Sequence, residues 1–182
     1  MAGQVILAKK ALDITGLSVD ERQDWRLKME AQRRHAGTHD LLSAEIGHEI
    51  EPVEMIVSEE MVETHAWAND DYNPWYISGS PFGGRIAPPT FLSYDTDIMI
   101  WNHFVLPEGG GIWAKQEFEF INPLRVGKRI KITGRLADKT YKRGRGHLSF
   151  EFLVVDEDGL EIARMRSTHA FPLVARDENK SK

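Results

Sequence analysis

A carboxylate, a glycine-rich loop and the start of a helix lie close together between His65 and His103, in HAWANDDYNPWYISGSPFGGRIAPPTFLSYDTDIMIWNH. Asp70, Asp71, Asn73 and Pro74 form an acidic turn, Gly79, Gly83 and Gly84 mark a loop, and Pro88 and Pro89 precede a mostly apolar segment. Unpaired amides at a helix start can stabilise charge on a carbonyl oxygen, while a nearby carboxylate handles a proton. The arrangement therefore suits chemistry on a carbonyl compound.

Two helices must position these groups. Ser58 is a helix cap with Glu59 and Glu60 in the favourable first turn, and Met61, Val62, His65 and Ala66 share an inner face, so a short helix delivers the chain to Asp70 and Asp71. Pro88 and Pro89 can occupy the last non-helical and first helical positions, because proline lacks the amide that would be orphaned there. That helix should run through Phe91, Leu92, Tyr94, Ile98, Met99, Ile100 and Trp101 to His103, ended by Pro107 and the glycines at 109–111. Apolar residues occur on most of its faces, so the domain should wrap it, with Asp95 and Asp97 needing solvent or a partner.

Around these helices the chain reads as sheet. EIEPVEMIV is a strand interrupted at Pro52, and beyond Gly111 strands are expected at 112–121, 129–139, 147–155 and 160–171. TYKRGRG is a hairpin tip and DEDG at 156–159 a turn. Further upstream, Ser18 and Glu21 make a capping box for an extra helix over 19–35 with a thin stripe of Val19, Trp25 and Met29, stopped by Gly37. The expected organisation is an N-terminal arm and helix over 1–44, one domain over 45–174 and a disordered tail over 175–182. This is an α+β plan in which an antiparallel sheet curls around a long central helix, and its open edge makes a dimer the natural expectation.

Composition excludes several functions. A formal charge of -5 disfavours a nucleic-acid surface, and the one basic cluster, Lys139, Lys142, Arg143 and Arg145, is read as a solvated hairpin tip or, more sharply, a clamp for a cofactor phosphate. Without cysteine there is no disulfide, thiol catalysis or thiolate metal site. No pair of histidines stands at metal spacing with a carboxylate, so no metal is expected. The short apolar run Val5 to Ala8 is neither a membrane span nor a signal peptide, and a cytoplasmic protein is expected.

At Asp71, Asn73 and Pro74, and again at APPTF over 87–91, the chain resembles the MaoC-like dehydratases and (R)-specific enoyl-CoA hydratases of the hotdog fold, in particular the FAS1-like dehydratase N-terminal domain. The similarity spans about residues 45 to 172 and continues through IWAKQEFEFINPLRVGKRI and the DEDG hairpin. It implies a hydro-lyase acting on a 3-hydroxyacyl or trans-2-enoyl thioester of coenzyme A or acyl carrier protein. Asp71 would activate water at the β-carbon, and the helix start at Pro89 and Thr90 would bind the thioester carbonyl. Asn73 completes the motif, while Gly84 and Trp75 are candidate substrate contacts, with Trp101 a further pocket residue. Coenzyme A would enter only as part of the substrate, with no separate cofactor, and two hotdog edges would pair as a homodimer or heterodimer.

The pattern departs from the family at one position: D-x-N-P-x-H is DYNPWY here, with Tyr76 in place of histidine. Tyrosine, with a pKa of about 10, is a usable acid and a poor base. Tyr76 can serve as acid or water-orienting hydroxyl, or His65, His103 or His169 can fill the gap. Alternatively, the chain is a non-catalytic partner subunit or acyl-thioester binding module, and a hotdog thioesterase is a third reading. The plainer accounts also stand: Asp71 ordering the turn with Asn73, Tyr76 as packing, Thr90 as a helix-start residue, and His65 and His169 as core histidines.

Overall fold

The structure, a computed structural model, describes residues 37–107 and 110–172. The expected arm, the helix over 19–35 and the tail over 175–182 lie outside the described residues. In chain order the elements are β1 (His39–Asp40), β2 (Glu49–Ile56), α1 (Glu59–Ala68), α2 (Pro74–Ile77), a 3-10 turn (Pro89–Leu92), α3 (Ser93–His103), β3 (Phe104–Val105), β4 (Ile112–Phe120), β5 (Arg129–Lys142), β6 (Arg145–Asp156) and β7 (Glu161–Pro172).

Five strands form one antiparallel sheet in the order β2-β5-β6-β7-β4, leaving β2 and β4 at its edges. Alternation sets the register: Ile130, Ile132 and Leu136 of β5 and Leu148, Phe150, Phe152 and Val154 of β6 are all buried in one core. The other face carries a charge ladder in which Glu151 pairs with Arg135 at 2.8 Å and Arg166 at 2.9 Å. Gly134 fits beneath Phe152, whose ring a Cβ there would approach to 2.5 Å. On edge strand β2, Pro52 coincides with a register shift between Ile50 and Val53, so the expected interruption is a bulge within a continuous strand.

A second bulge, between Leu136 and Asp138, places Lys139 opposite Leu148. Its ammonium donates to the carbonyl oxygens of Leu42 at 2.8 Å and Ala44 at 2.6 Å. Lys139 is thus a staple for the incoming chain, while Lys142, Arg143 and Arg145 are exposed at the tip.

The helix α3 buries Thr96, Asp97, Met99 and Ile100, whereas Tyr94 is 67% exposed and Asn102 is also outward. The helix is otherwise covered, as expected of one that the domain wraps: only Tyr94 and Asn102 of its residues are exposed. Asp97 finds a buried neighbour, its Oδ1 lying 3.2 Å from Nε2 of His169, although neither atom completes an aligned hydrogen bond.

The parallel pair β1 and β3 is too short to show in a sequence pattern. Gly37 lies just before it, where a Cβ would come within 2.1 Å of the Phe104 carbonyl. His103, ending α3, stacks on His39 with ring centroids 4.5 Å apart, and its Nε2 is 2.9 Å from Nε2 of His48. Burial first, then the neighbouring His39 and His48 rings, holds His103 below the ordinary histidine value, against an opposing pull from Glu51.

Because Ile132 is fully buried at the centre of the sheet, Ile132→Ala should cost ~2–5 kcal/mol, read as a lowered denaturant midpoint. On the opposite face, Lys131→Ala should change stability by about 0.5 kcal/mol at most.

Candidate active site

The helix α1 forms where the sequence places its cap: Ser58 Oγ accepts the Met61 N–H at 3.2 Å, and Glu59 and Glu60 occupy the first turn. Val62 and Ala66 are its buried face. The chain leaves this helix through Asp70, which takes a positive φ of 52°, and the Asp71 N–H donates to the Ala66 carbonyl at 2.9 Å. This sharp exit leaves the Asp71 side chain exposed immediately past the helix end.

Asp71 Oδ1 accepts the Asn73 N–H at 3.3 Å, and Asn73 Oδ1 caps α2 by accepting the Trp75 N–H at 3.0 Å. The turn-ordering role is therefore real for both residues, and it fixes the carboxylate without burying it. Tyr76, on α2, is buried. Burial raises its phenol above the ordinary value, and the negative charge of Asp71 raises it further. Tyr76 is accordingly a proton donor, and it lies within the electrostatic reach of Asp71.

Arg85 holds this loop in place. Its Nε donates to the Tyr76 carbonyl at 2.8 Å, and its guanidinium reaches back to Glu63 at 2.9 Å and Glu59 at 3.4 Å on α1. The Arg85 side chain is only 14% exposed. Arg85 escaped the sequence reading, although Glu59 and Glu63, one helical turn apart and facing the same way, were a visible signal.

The central helix begins as expected in place but not in type. Pro88 flanks it and Pro89 opens a 3-10 turn, with regular α-helix only from Ser93. Both prolines lack an N–H, and the Phe91 N–H is engaged by the Pro88 carbonyl at 3.0 Å, so Thr90 carries the first amide the helix start can present. His65 Nε2 lies 3.4 Å from Thr90 Oγ1, and its ring meets Phe91 edge-on. That contact docks α1 against the helix start.

An apolar cavity of about 360 Å³ opens beside it, lined by Phe82, Ile86, Pro88, Pro89, Phe120 and Leu124 among others. Pro89 thus lies where a substrate contact was expected. Trp75 is outside the lining and packs edge-on against Phe82 with ring centroids 5.7 Å apart. Gly84 closes its own loop, its carbonyl accepting the Ser80 N–H at 2.8 Å and hydroxyl at 2.6 Å. A wider groove of about 860 Å³ over the sheet is lined by the charges of Arg135, Glu151, Arg164 and Arg166 and meets none of these groups.

Of the three histidines that could stand in for the motif histidine, only His65 reaches the helix start. His103 closes the opposite end of α3. His169 is buried among Trp113, Phe150 and Phe171 beside Asp97.

The comparisons agree with this architecture. The solved structures similar to this chain include R-hydratase PhaJ1 from Pseudomonas aeruginosa, at 20% identity and a TM-score of 0.59 over 72% of this chain and 84% of that one. A MaoC-like dehydratase from Rhodospirillum rubrum is 17% identical with a TM-score of 0.61, covering 76% of this chain and all of that one (100%). The C-terminally truncated HadBC (3R-hydroxyacyl-ACP dehydratase) complex from Mycobacterium tuberculosis is 20% identical with a TM-score of 0.62, covering 71% of this chain and 99% of that one. No curated protein sequence matches the chain. Among the described residues no helix is long and apolar enough to cross a membrane. The antiparallel sheet and its helix are a hotdog fold. The family model for the FAS1-like dehydratase domain region matches residues 44–164 and so takes in the carboxylate loop, the helix start and most of the sheet: the chain belongs to that family.

Proposed function

We propose that the chain is a hydro-lyase that adds water to, or removes it from, a 3-hydroxyacyl or trans-2-enoyl thioester, taken as the coenzyme A ester. The observation that supports this reading is the His65–Thr90 contact, which docks α1, the helix leading to Asp71, against the start of the central helix. In the hydration direction Asp71 takes a proton as water attacks the β-carbon, and the Thr90 amide stabilises the enolate oxygen that develops. Tyr76, kept protonated by burial and by Asp71, orients water and does not act as a base. His65, in contact with Thr90, returns a proton to the α-carbon. The apolar cavity at Pro89 takes the acyl chain. Neither a metal nor a redox cofactor enters these steps.

A second reading is supported by Tyr76 itself, which puts a buried phenol where the family motif has histidine. On that reading the chain is a non-catalytic partner in a heteromeric hydratase, as HadBC is a complex of dehydratase subunits. Either way, edge strand β4 is the natural pairing surface, since Ile112 and Phe120 are 56% and 53% exposed along it.

Hydration of a panel of trans-2-enoyl-CoA esters by the purified full chain, followed as loss of conjugated thioester absorbance, tests the proposal. Asp71→Asn should lower turnover by roughly 10²–10⁴-fold, and His65→Gln should reduce it as well. Acyl-CoA binding with no turnover of any ester would favour the partner reading, and release of free thiol would favour a thioesterase.

The phenol offers a separate check. In a pH titration of tyrosinate absorbance, the Tyr76 contribution, isolated by difference from Tyr76→Phe, should appear above the ordinary value of about 10. Asp71→Asn should move it down, because one of the two raising influences is removed. The sign for stability follows: the contribution is constant below pH ~10 and is lost as pH rises through the folded-state value.

A further inference from the structure

Three of the chain's seven histidines converge at the end of α3 farthest from the Thr90 contact. His39 comes from β1, His48 from the residue before β2 and His103 from the last position of the helix, and one ring nitrogen of each lies within 4.8 Å of the others. The geometry points to a metal site in which His39, His48 and His103 ligate one Zn²⁺ ion through their imidazole nitrogens.

The chemistry of the donors fits. Neutral imidazole suits Zn²⁺, and three such ligands leave one tetrahedral position for water. Nitrogens at ~2.0–2.1 Å from a tetrahedral Zn²⁺ are about 3.4 Å apart. The Nε2 atoms of His48 and His103, now 2.9 Å apart, therefore spread slightly, while the widest gap closes by roughly 1.5 Å. His39, exposed on a two-residue strand, is free to make that movement.

A hydrogen bond between His48 and His103 and a stack of His39 on His103 account for the contacts pairwise. Neither requires a ring nitrogen of all three to lie within 4.8 Å of the others, and the nearly parallel stack of His39 on His103 must turn for both to face one ion. The Glu51 N–H donates to His103 Nδ1 at 3.3 Å, so in the metal-free form His103 carries its proton on Nε2, toward His48. Zn²⁺ at Nε2 takes the place of that shared proton, which moves to Nδ1 and gives up the bond from the Glu51 N–H. The C-terminal end of a helix, with its unpaired carbonyls, also favours a cation.

With three protein ligands the fourth position stays open to water. The ion would tie β1 and the start of β2 to the end of α3, about 16 Å along the helix axis from the other end. The site escaped the sequence reading because its ligands come from three elements, with His48 and His103 55 positions apart.

The metal-free full chain, titrated with Zn²⁺ against a chromophoric chelator at neutral pH, should bind one ion per chain. With Co²⁺ as probe it should show the strong visible bands of four-coordination. His39→Gln, His48→Gln and His103→Gln should each weaken Zn²⁺ binding by tenfold or more and abolish the rise in Tm on adding Zn²⁺. His147→Gln, outside the cluster, should leave binding unchanged. His39→Gln is the decisive variant, because this exposed side chain can be replaced without disturbing the core. Absence of stoichiometric Zn²⁺ binding by the parent chain, or unaltered affinity in a folded His39→Gln protein, would overturn the assignment.

Discussion

The site depends on one cation. Arg85 is mostly buried, and its guanidinium is shared between the carboxylates of α1 and the backbone of α2. Its own backbone carbonyl accepts the Val126 N–H at 3.0 Å, so the same residue tethers the loop to the turn before β5. A buried charge is tolerated only where its donors are satisfied, and this one meets that condition by spanning three segments. The loop bearing Asp71 and Tyr76 is thereby fixed as a unit, which is the preorganisation that the proposed reaction calls for.

The central helix then separates two environments. At its start, two prolines remove backbone donors and a 3-10 turn consumes another, which narrows the free donors there to a few defined amides. At its end, imidazole rings gather around the carbonyl terminus. Both arrangements follow from the backbone polarity of the helix, with donors exposed at one end and acceptors at the other.

Much of this was legible in the residues. The period-2 pattern of Leu148, Phe150, Phe152 and Val154 announced β6, and Ser58 marked the start of α1 with its cap. The acidic turn was visible because Asp, Asn and Pro each make local hydrogen bonds or fix local dihedrals. What could not be read depends on contacts distant in the chain. Lys139 reaching Leu42, Arg85 reaching Glu63 and Thr90 reaching His65 carry no local periodicity. Bulges were equally hidden: a one-residue slip after Leu136 changes which face the following side chains occupy, so alternation alone assigns Lys139 wrongly.

The two edges of the sheet are not equivalent. Pro52 deprives β2 of a donor and sits at the bulge that bends the strand, which blunts that side as a template. The β4 side has its own register shift, between Trp113 and Lys115, but no proline, and it keeps Trp113, Phe120 and other apolar side chains half-open to solvent. A sheet with one blunted edge has a single side open to strand addition, so one association event there would exhaust that capacity.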